Sequence, residues 1–515
     1  MATMARAPLA HDGAALEEQI DLEKLGRQRP AVFSSTLSEI LFCFSLLTTS
    51  MMAEYFISGF NIVLPAISDS LSIPPDSRTW PTSVFALVTG AFLLPFGRLA
   101  DMYGGHAVYV GGLAWLLVWC LVGGFSTNPA MMIVTRAVAG LGPAAFLPAS
   151  IMLLGKTYRP GPRKNLVFSL YGACAPLGFF FGIIMGGVTA QCLTWRWYFF
   201  LGAIVLAVVV ATSVFFVPSD WNEDRPAGVK MDYLGVATTV PGLVLLVFAI
   251  TDGAHAPDGW KTPYIIVTFI LGAIFIGAAV YVEGWVSSQP LLPFDMFKPK
   301  YMIRMVIALF FCYGAFGIFL LYASFYIQEI IGKAPLLTAV WFAPMAAGGI
   351  VLATVGGFTM HFLPGRVLLV IAGLGGIAQM LLFAVMPDYA GPRTFWAFVF
   401  PAMIGATLCI DVVYNVSNVY ITTNVPRHRQ GVAGAVIFSL LFLGTSFFLG
   451  LADVAVAESA ARGKGLKESY KVAFWFGTAV AAVVLVLFFF IRIGSAKSEL
   501  LFEERERVQS EEESR

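Results

Sequence analysis

Residues 80–125 read WPTSVFALVTGAFLLPFGRLADMYGGHAVYVGGLAWLLVWCLVGGF. Two apolar blocks, 80–100 and 107–125, flank a glycine-rich turn, and the only acidic or basic side chains are Arg98, Asp101 and His106 in or beside that turn. A helix of about 20 apolar residues crosses a hydrocarbon core of about 30 Å. Lipid offers the backbone no hydrogen-bond partners, so only helices and closed barrels can span it. Barrel strands would alternate apolar and polar residues with period two, and neither block does. The stretch therefore reads as two membrane-crossing helices joined by a tight reversal. The rest of the chain has the same texture, with 58% hydrophobic and 12% charged residues and a mean hydropathy of +0.79. A soluble domain carries about 25% charged residues. The expected class is an all-α membrane protein.

Extending the reading over all 515 residues gives fourteen spans. They are 38–62, 80–100, 107–125, 129–152, 166–189, 196–217, 232–252, 263–285, 302–328, 336–360, 367–386, 394–422, 432–454 and 471–492. An even count puts both termini on one side. Most of the 32 lysines and arginines fall in loops on that side, including Lys156, Arg159, Arg163 and Lys164. The positive-inside rule makes that side cytoplasmic. The polar stretch 1–37 lacks the apolar core of a cleavable signal and reads as a disordered cytoplasmic tail, and 493–515 reads as a cytoplasmic C-terminal tail. Between them the chain divides into a six-helix bundle at 38–217, two inserted helices with their linkers at 218–301, and a second six-helix bundle at 302–492.

Several functions are excluded by what the residues do not form. The formal net charge of +1 leaves no basic footprint for nucleic acid. Six scattered cysteines form no CxxC, which argues against a disulfide framework or a metal site. No G-x-S-x-G, P-loop or HExxH occurs, so no enzyme, no ATP-driven pump, no catalytic residue and no cofactor are expected. The expected partners are a small-molecule substrate, protons and the lipid bilayer, with the chain acting as a monomer.

A weak internal repeat links the halves. The loop Gly97-Arg-Leu-Ala-Asp101-Met-Tyr-Gly104-Gly105-His106 has a counterpart in Gly357-Phe-Thr-Met-His361-Phe-Leu-Pro-Gly365-Arg366. The basic turn Arg159–Lys164 has one in Pro426–Gly431. Such repeats are common in secondary transporters. The segment Gly97–Gly104 resembles the Gly-x-Leu-Ala-Asp-x-x-Gly signature loop of the major facilitator superfamily. Arg136, in Thr135-Arg136-Ala-Val-Ala-Gly140-Leu-Gly142, is similar to that superfamily's span-four arginine motif. Fourteen spans bring the chain nearest the fungal drug:proton antiporters, and the resemblance covers residues 38–492. It departs from the family pattern in two places. Met102, Gly105 and His106 stand where the family loop is basic. In span five the sequence Ala175-Pro176-Leu-Gly178-Phe179-Phe180-Phe-Gly182 keeps the proline of the antiporter motif but displaces its glycines.

Ionisable groups at mid-membrane are functional candidates by default. Glu54 lies near the middle of span one, with Ser58 and Asn61 at helical spacing on what is expected to be one face. Asp411 in span twelve heads Asp411, Asn415 and Asn418 in the same way. Arg136 sits too deep to snorkel fully and is expected to face a cavity or a partner. The resemblance implies that spans one, four, nine and twelve line a central cavity, which would gather Glu54, Arg136 and Asp411. Their bland alternative is a static interhelical ion pair. Tyr322 and Tyr326, with Tyr313 earlier on span nine, could line a path for amphipathic or cationic compounds or simply pack. Asp101 could clamp a gate, the role the resemblance implies, or cap the following helix. Gly97 and Gly104 permit close approach and a tight reversal. Pro176, Gly178, Gly182 and Gly186 could form a hinge or a close helix contact. Glu39, Glu283, Glu329 and Asp453 fall toward span ends and are expected to reach water.

The resulting expectation is a secondary transporter working by alternating access, proton-coupled and exporting small organic compounds. Uptake of a nutrient or small cation on the same fold is the alternative, and a transport-inactive receptor the remote one. The expected location is the plasma membrane first and the vacuolar membrane second.

Overall fold

The computed structural model describes residues 27–159, 161–220, 228–387, 392–425 and 430–494. The tails at 1–26 and 495–515 lie outside the described residues. Of the second-half counterpart loops, 426–431 lies partly outside them. Among the described residues every regular element is helical, and fourteen helices are long and apolar enough to cross a membrane. The first six are α1 (Thr36–Leu71), α2 (Trp80–Tyr103), α3 (Gly105–Gly124), α4 (Pro129–Thr157), α5 (Pro162–Cys192) and α6 (Arg196–Phe216). Then come α7 (Tyr233–Asp252) and α8 (Pro263–Val286). The last six are α9 (Met302–Ile330), α10 (Pro335–Leu352), α11 (Gly365–Ala384), α12 (Phe395–Thr423), α13 (Gly431–Ala461) and α14 (Leu466–Phe489).

Local sequence explains where several helices start. Ser35 and Ser38 cap one another at the head of α1, Asn128 caps α4 through Met131 N–H, and Asp232 caps α7 through Gly235 N–H. Prolines open α4, α5, α8 and α10, where a missing N–H costs nothing. The main difference from the sequence expectation is length. α1 continues nine residues beyond 62, to Leu71, because Val63, Leu64 and Ile67 are buried in the bundle. A hydropathy window sees only the bilayer's share of such a helix.

Glycines set the closest helix approaches. Across α1 and α5, a Cβ on Gly178 would stand 2.3 Å from Met51 O, and one on Gly182 would stand 2.5 Å from Ser58 Oγ and 2.7 Å from Tyr55 O. Gly186 meets Gly59 in the same seam. The stripe in α5 is therefore a helix contact. Tyr55 of α1 and Tyr198 of α6 stack at 4.7 Å, each hydroxyl donating to the other's carbonyl at 2.7 and 2.5 Å. In the second bundle Gly314 and Gly317 of α9 receive Phe448 and Thr445 of α13. The inserted helices pack on each other through Gly242 against Ile276 and Gly272 against Leu246. α7 also touches α2 and α13, one helix from each bundle. α8 leaves Ile266, Val267, Phe269 and Ile270 exposed, an apolar face suited to lipid.

Candidate functional site

Between the bundles lies a cavity of about 1760 Å³. Its wall runs from mid-helix residues such as Glu54 and Asp411 to helix ends at Asp101, Lys164 and Thr423. Those ends lie on the side that carries both termini, so the cavity opens there. α1, α4, α9 and α12 all contribute, as expected, but so do α2, α5, α10, α13 and the linker after α8.

The floor holds the two carboxylates. Glu54 and Asp411 are half-buried, come from opposite bundles, and are electrostatic neighbours. Asp411 Oδ2 lies 3.2 Å from where a Cβ on Gly349 would stand, and that position is 3.8 Å from Pro176 Cβ. The missing side chain of Gly349 in α10 thus leaves room for the acid. Among the described residues neither carboxylate has a hydrogen-bond or ion-pair partner, and Glu54 meets Ser58 only through its backbone carbonyl. Asn415 and Asn418 line the same wall, with Tyr171, Tyr313, Tyr414, Phe179 and Phe316 around them. The cationic residues in the wall, Arg98 and Lys164, stand near its mouth. A floor of carboxylates, amides and rings without a fixed cation can receive a proton or an amine-like charge, and can stack an apolar body.

Arg136 borders a small void and not the large cavity where the resemblance would gather it with Asp411. It is buried, its Nε donates to Pro81 O and its Nη2 to Phe56 O, each at 3.1 Å. The guanidinium lies 4.0 Å from the Phe60 ring and 4.1 Å from the Phe85 ring. No carboxylate pairs with it among the described residues. It borders a separate void of about 40 Å³ shared with Glu54 and Asn61. Carbonyls and rings satisfy a delocalised guanidinium well, and the result ties α4 to α1 and α2.

Other candidates were also misplaced by periodicity. Tyr322 and Tyr326 line neither cavity: both are buried inside the second bundle, packing edge-on against Tyr470 and against Phe383 and Phe474. Tyr313 and Phe316 are what α9 presents to the large cavity. Ser58 lines neither cavity: its hydroxyl donates to Glu54 O at 2.9 Å and to Phe179 O at 2.7 Å. Asn61 shares the small void with Glu54 and Arg136 and accepts from Thr82 Oγ1 at 3.3 Å.

Asp101 and Gly97 sit at the cavity mouth. Asp101 does not cap α3. That work falls to Asp220, which accepts from Gly105 N–H at 2.7 Å and His106 N–H at 3.2 Å and lies 3.7 Å from Lys156 Nζ. Gly104 has φ +98°, and a Cβ there would stand 2.6 Å from Asp220 Oδ1. Nothing local in the sequence around Asp220 points to a helix start more than a hundred residues earlier. Glu39 and Glu283 are buried rather than wet, and Glu39 is held by Arg163 and by the Tyr158 hydroxyl at 3.0 Å.

The opposite side is closed by polar contacts between bundles. Arg78 reaches Glu329 at 2.8 Å, and Tyr470 donates to the other Glu329 oxygen at 2.7 Å. Ser83 meets Ser446 at 2.8 Å, Ser324 donates to Asn61 O at 2.9 Å, and Gln328 donates to Ile62 O at 3.2 Å.

The model of the Major Facilitator Superfamily fits residues 42–449. Efflux pump terJ of Aspergillus terreus is 29% identical, over 91% of this chain and 90% of its own. The low affinity ammonium transporter of Saccharomyces cerevisiae is 30% identical, over 79% of each chain. The crystal structure of the peptide transporter POT in complex with sulfate superposes with a TM-score of 0.62 at 16% identity, covering 91% of this chain and 97% of that one. At that identity the last likeness speaks for the fold alone.

Proposed function

Since the chain belongs to the Major Facilitator Superfamily, a family of membrane transporters, we propose that it exports small organic compounds in exchange for protons. The side bearing the termini is taken as cytoplasmic. One observation carries the reading: two unpartnered carboxylates, Glu54 and Asp411, face a single cavity from opposite bundles. An ionised carboxylate that deep in a protein needs water, a proton or a cation. In the cytoplasm-facing form the floor takes a substrate with its polar or amine group toward Glu54 and Asp411 and its apolar body against Phe179 and Phe316. Rocking of the bundles closes the mouth and opens the opposite side. Protons entering there neutralise the carboxylates, weaken the hold on the substrate, and return with the carrier. The similarity to an efflux pump supports the direction. Gly97, Asp101 and Gly104 serve the gate at the mouth, and Pro176 with Gly178 and Gly182 the close seam about which α5 moves.

Uptake of a small cation is the second reading. It is favoured by the acid floor without a fixed cation and by the similarity to a transporter of ammonium. Proteoliposomes with a fixed orientation separate the two. Export predicts that an inward-acid gradient drives a labelled organic amine out of the cytoplasmic compartment. Movement of ammonium the other way under the same gradient, with the amine static, would replace export by uptake.

A further inference from the structure

The sealed side contains an acid that the sequence reading left in water. Asp453 of α13 is 4% exposed. Its Oδ2 lies 2.7 Å from His255 Nε2 and accepts from Thr79 Oγ1 at 2.8 Å, and its Oδ1 accepts from the Tyr322 hydroxyl at 3.4 Å. These groups come from three bodies. Thr79 stands at the head of α2 in the first bundle. Tyr322 and Asp453 belong to the second. His255 comes from the loop between the inserted helices α7 and α8, and its side chain is only 6% exposed. The junction therefore exists only while the two bundles and the inserted pair are together on this side.

We propose that His255 and Asp453 form a proton-binding latch: the sealed form holds one proton between imidazole and carboxylate, and opening of this side releases it. Whether the pair is written as imidazolium with carboxylate or imidazole with carboxylic acid, it holds that one proton. Removing it would leave an uncompensated negative charge in a buried site, which is costly. Once separated in water, a carboxyl titrates near about 4 and an imidazole near about 6.5. Near neutrality the opened latch is thus largely proton-free while the sealed latch is not. The sign follows from linkage: the latch's contribution to the seal is complete below the ordinary imidazole range and is lost as pH rises through the sealed pair's own titration.

The surrounding groups do not supply the charge another way. Tyr322 on α9 faces Asp453 as a donor, and Tyr470 on α14 packs behind it at 5.7 Å. Asp252 on α7 is engaged by the Tyr264 hydroxyl at 2.7 Å. Asp258 lies further along the His255 loop. Arg78 is committed to Glu329 and lies 3.8 Å from Asp69. Among the described residues no lysine or arginine pairs with Asp453. The proposal goes beyond the coupling assigned to Glu54 and Asp411, because it concerns which side is open and not what drives accumulation. It also gives the inserted helices a task, since their loop carries the histidine.

The test uses the full-length protein in nanodiscs, with spin labels at Thr127→Cys and Lys464→Cys, two exposed loop positions on the sealed side of the two bundles. Cys43, Cys174 and Cys192, the cysteines not fully buried, are replaced by serine. Distances are read from about pH 5.5 to about pH 8.5, which brackets the imidazole range. The open-to-sealed ratio should rise with pH, by up to about tenfold per unit. His255→Gln should flatten that response. Asp453→Asn, which keeps shape and a hydrogen-bond acceptor, should flatten it too and serves where His255→Gln does not fold. A wild-type distribution indifferent to pH, or a response that survives both latch variants, overturns the proposal.

Discussion

The two sides of the molecule treat polar side chains in opposite ways. On the sealed side Arg78, Glu329, Tyr470, Thr82, Asn61, Ser83 and Ser446 pair with one another, and two of these four contacts cross the bundle boundary. On the open side Glu54 and Asp411 face water-accessible space and have no such partner among the described residues. Buried polar groups are costly unless paired, so the first set fixes a conformation and the second waits for a ligand. The contrast locates a candidate site more sharply than the depth of any one charge. Arg136, the deepest cation predicted, is a cross-tie because carbonyls and rings already satisfy it.

The most damaging test of that contrast is Asp411→Asn. Accumulation driven by a pH gradient in proteoliposomes should fall to background while substrate exchange persists. Full pH-driven transport in this variant would move coupling to Glu54 or away from the floor altogether. Next in size is Gly182→Ala in the α1–α5 seam, where the added Cβ meets Ser58 Oγ and Tyr55 O. Overpacking of this kind costs about 1–3 kcal/mol, read as a lower melting temperature of the purified protein. An unchanged melting temperature would mean that the seam can open without cost, as a hinge would.

On the sealed side, Glu329→Gln removes the ion pair with Arg78. The pair is only partly shielded, so the loss is about 1 kcal/mol, or roughly a fivefold shift toward the form open on that side. Labels at Thr127→Cys and Lys464→Cys would report it, and an unmoved distribution would assign the seal to its neutral contacts. The smallest effects separate two aspartates at the mouth. Asp220→Ala should cost about 1 kcal/mol through the lost cap of α3, seen as a lower melting temperature. Asp101→Asn should slow transport with the melting temperature unchanged. If the second variant transported normally at normal expression, Asp101 would lose its gating role.

The sequence by itself determined that this chain crosses the membrane fourteen times as helices, because hydrophobic length and backbone satisfaction in lipid are local properties. It also raised the expectation of two bundles and an inserted pair, and it singled out Glu54 and Asp411, since an ionisable residue inside an apolar block stands out in one dimension. Only the tertiary structure decided which helix face looks at the cavity. Periodicity places residues on a common face but does not say what that face meets, so Tyr322 and Tyr326 went into the second bundle while Tyr313 and Phe316 reached the cavity. The same reason hid Asp220 at the head of α3 and the junction of Asp453 with His255. In each case the partner lies more than a hundred residues away, and the bond exists only because packing brings distant helix ends together.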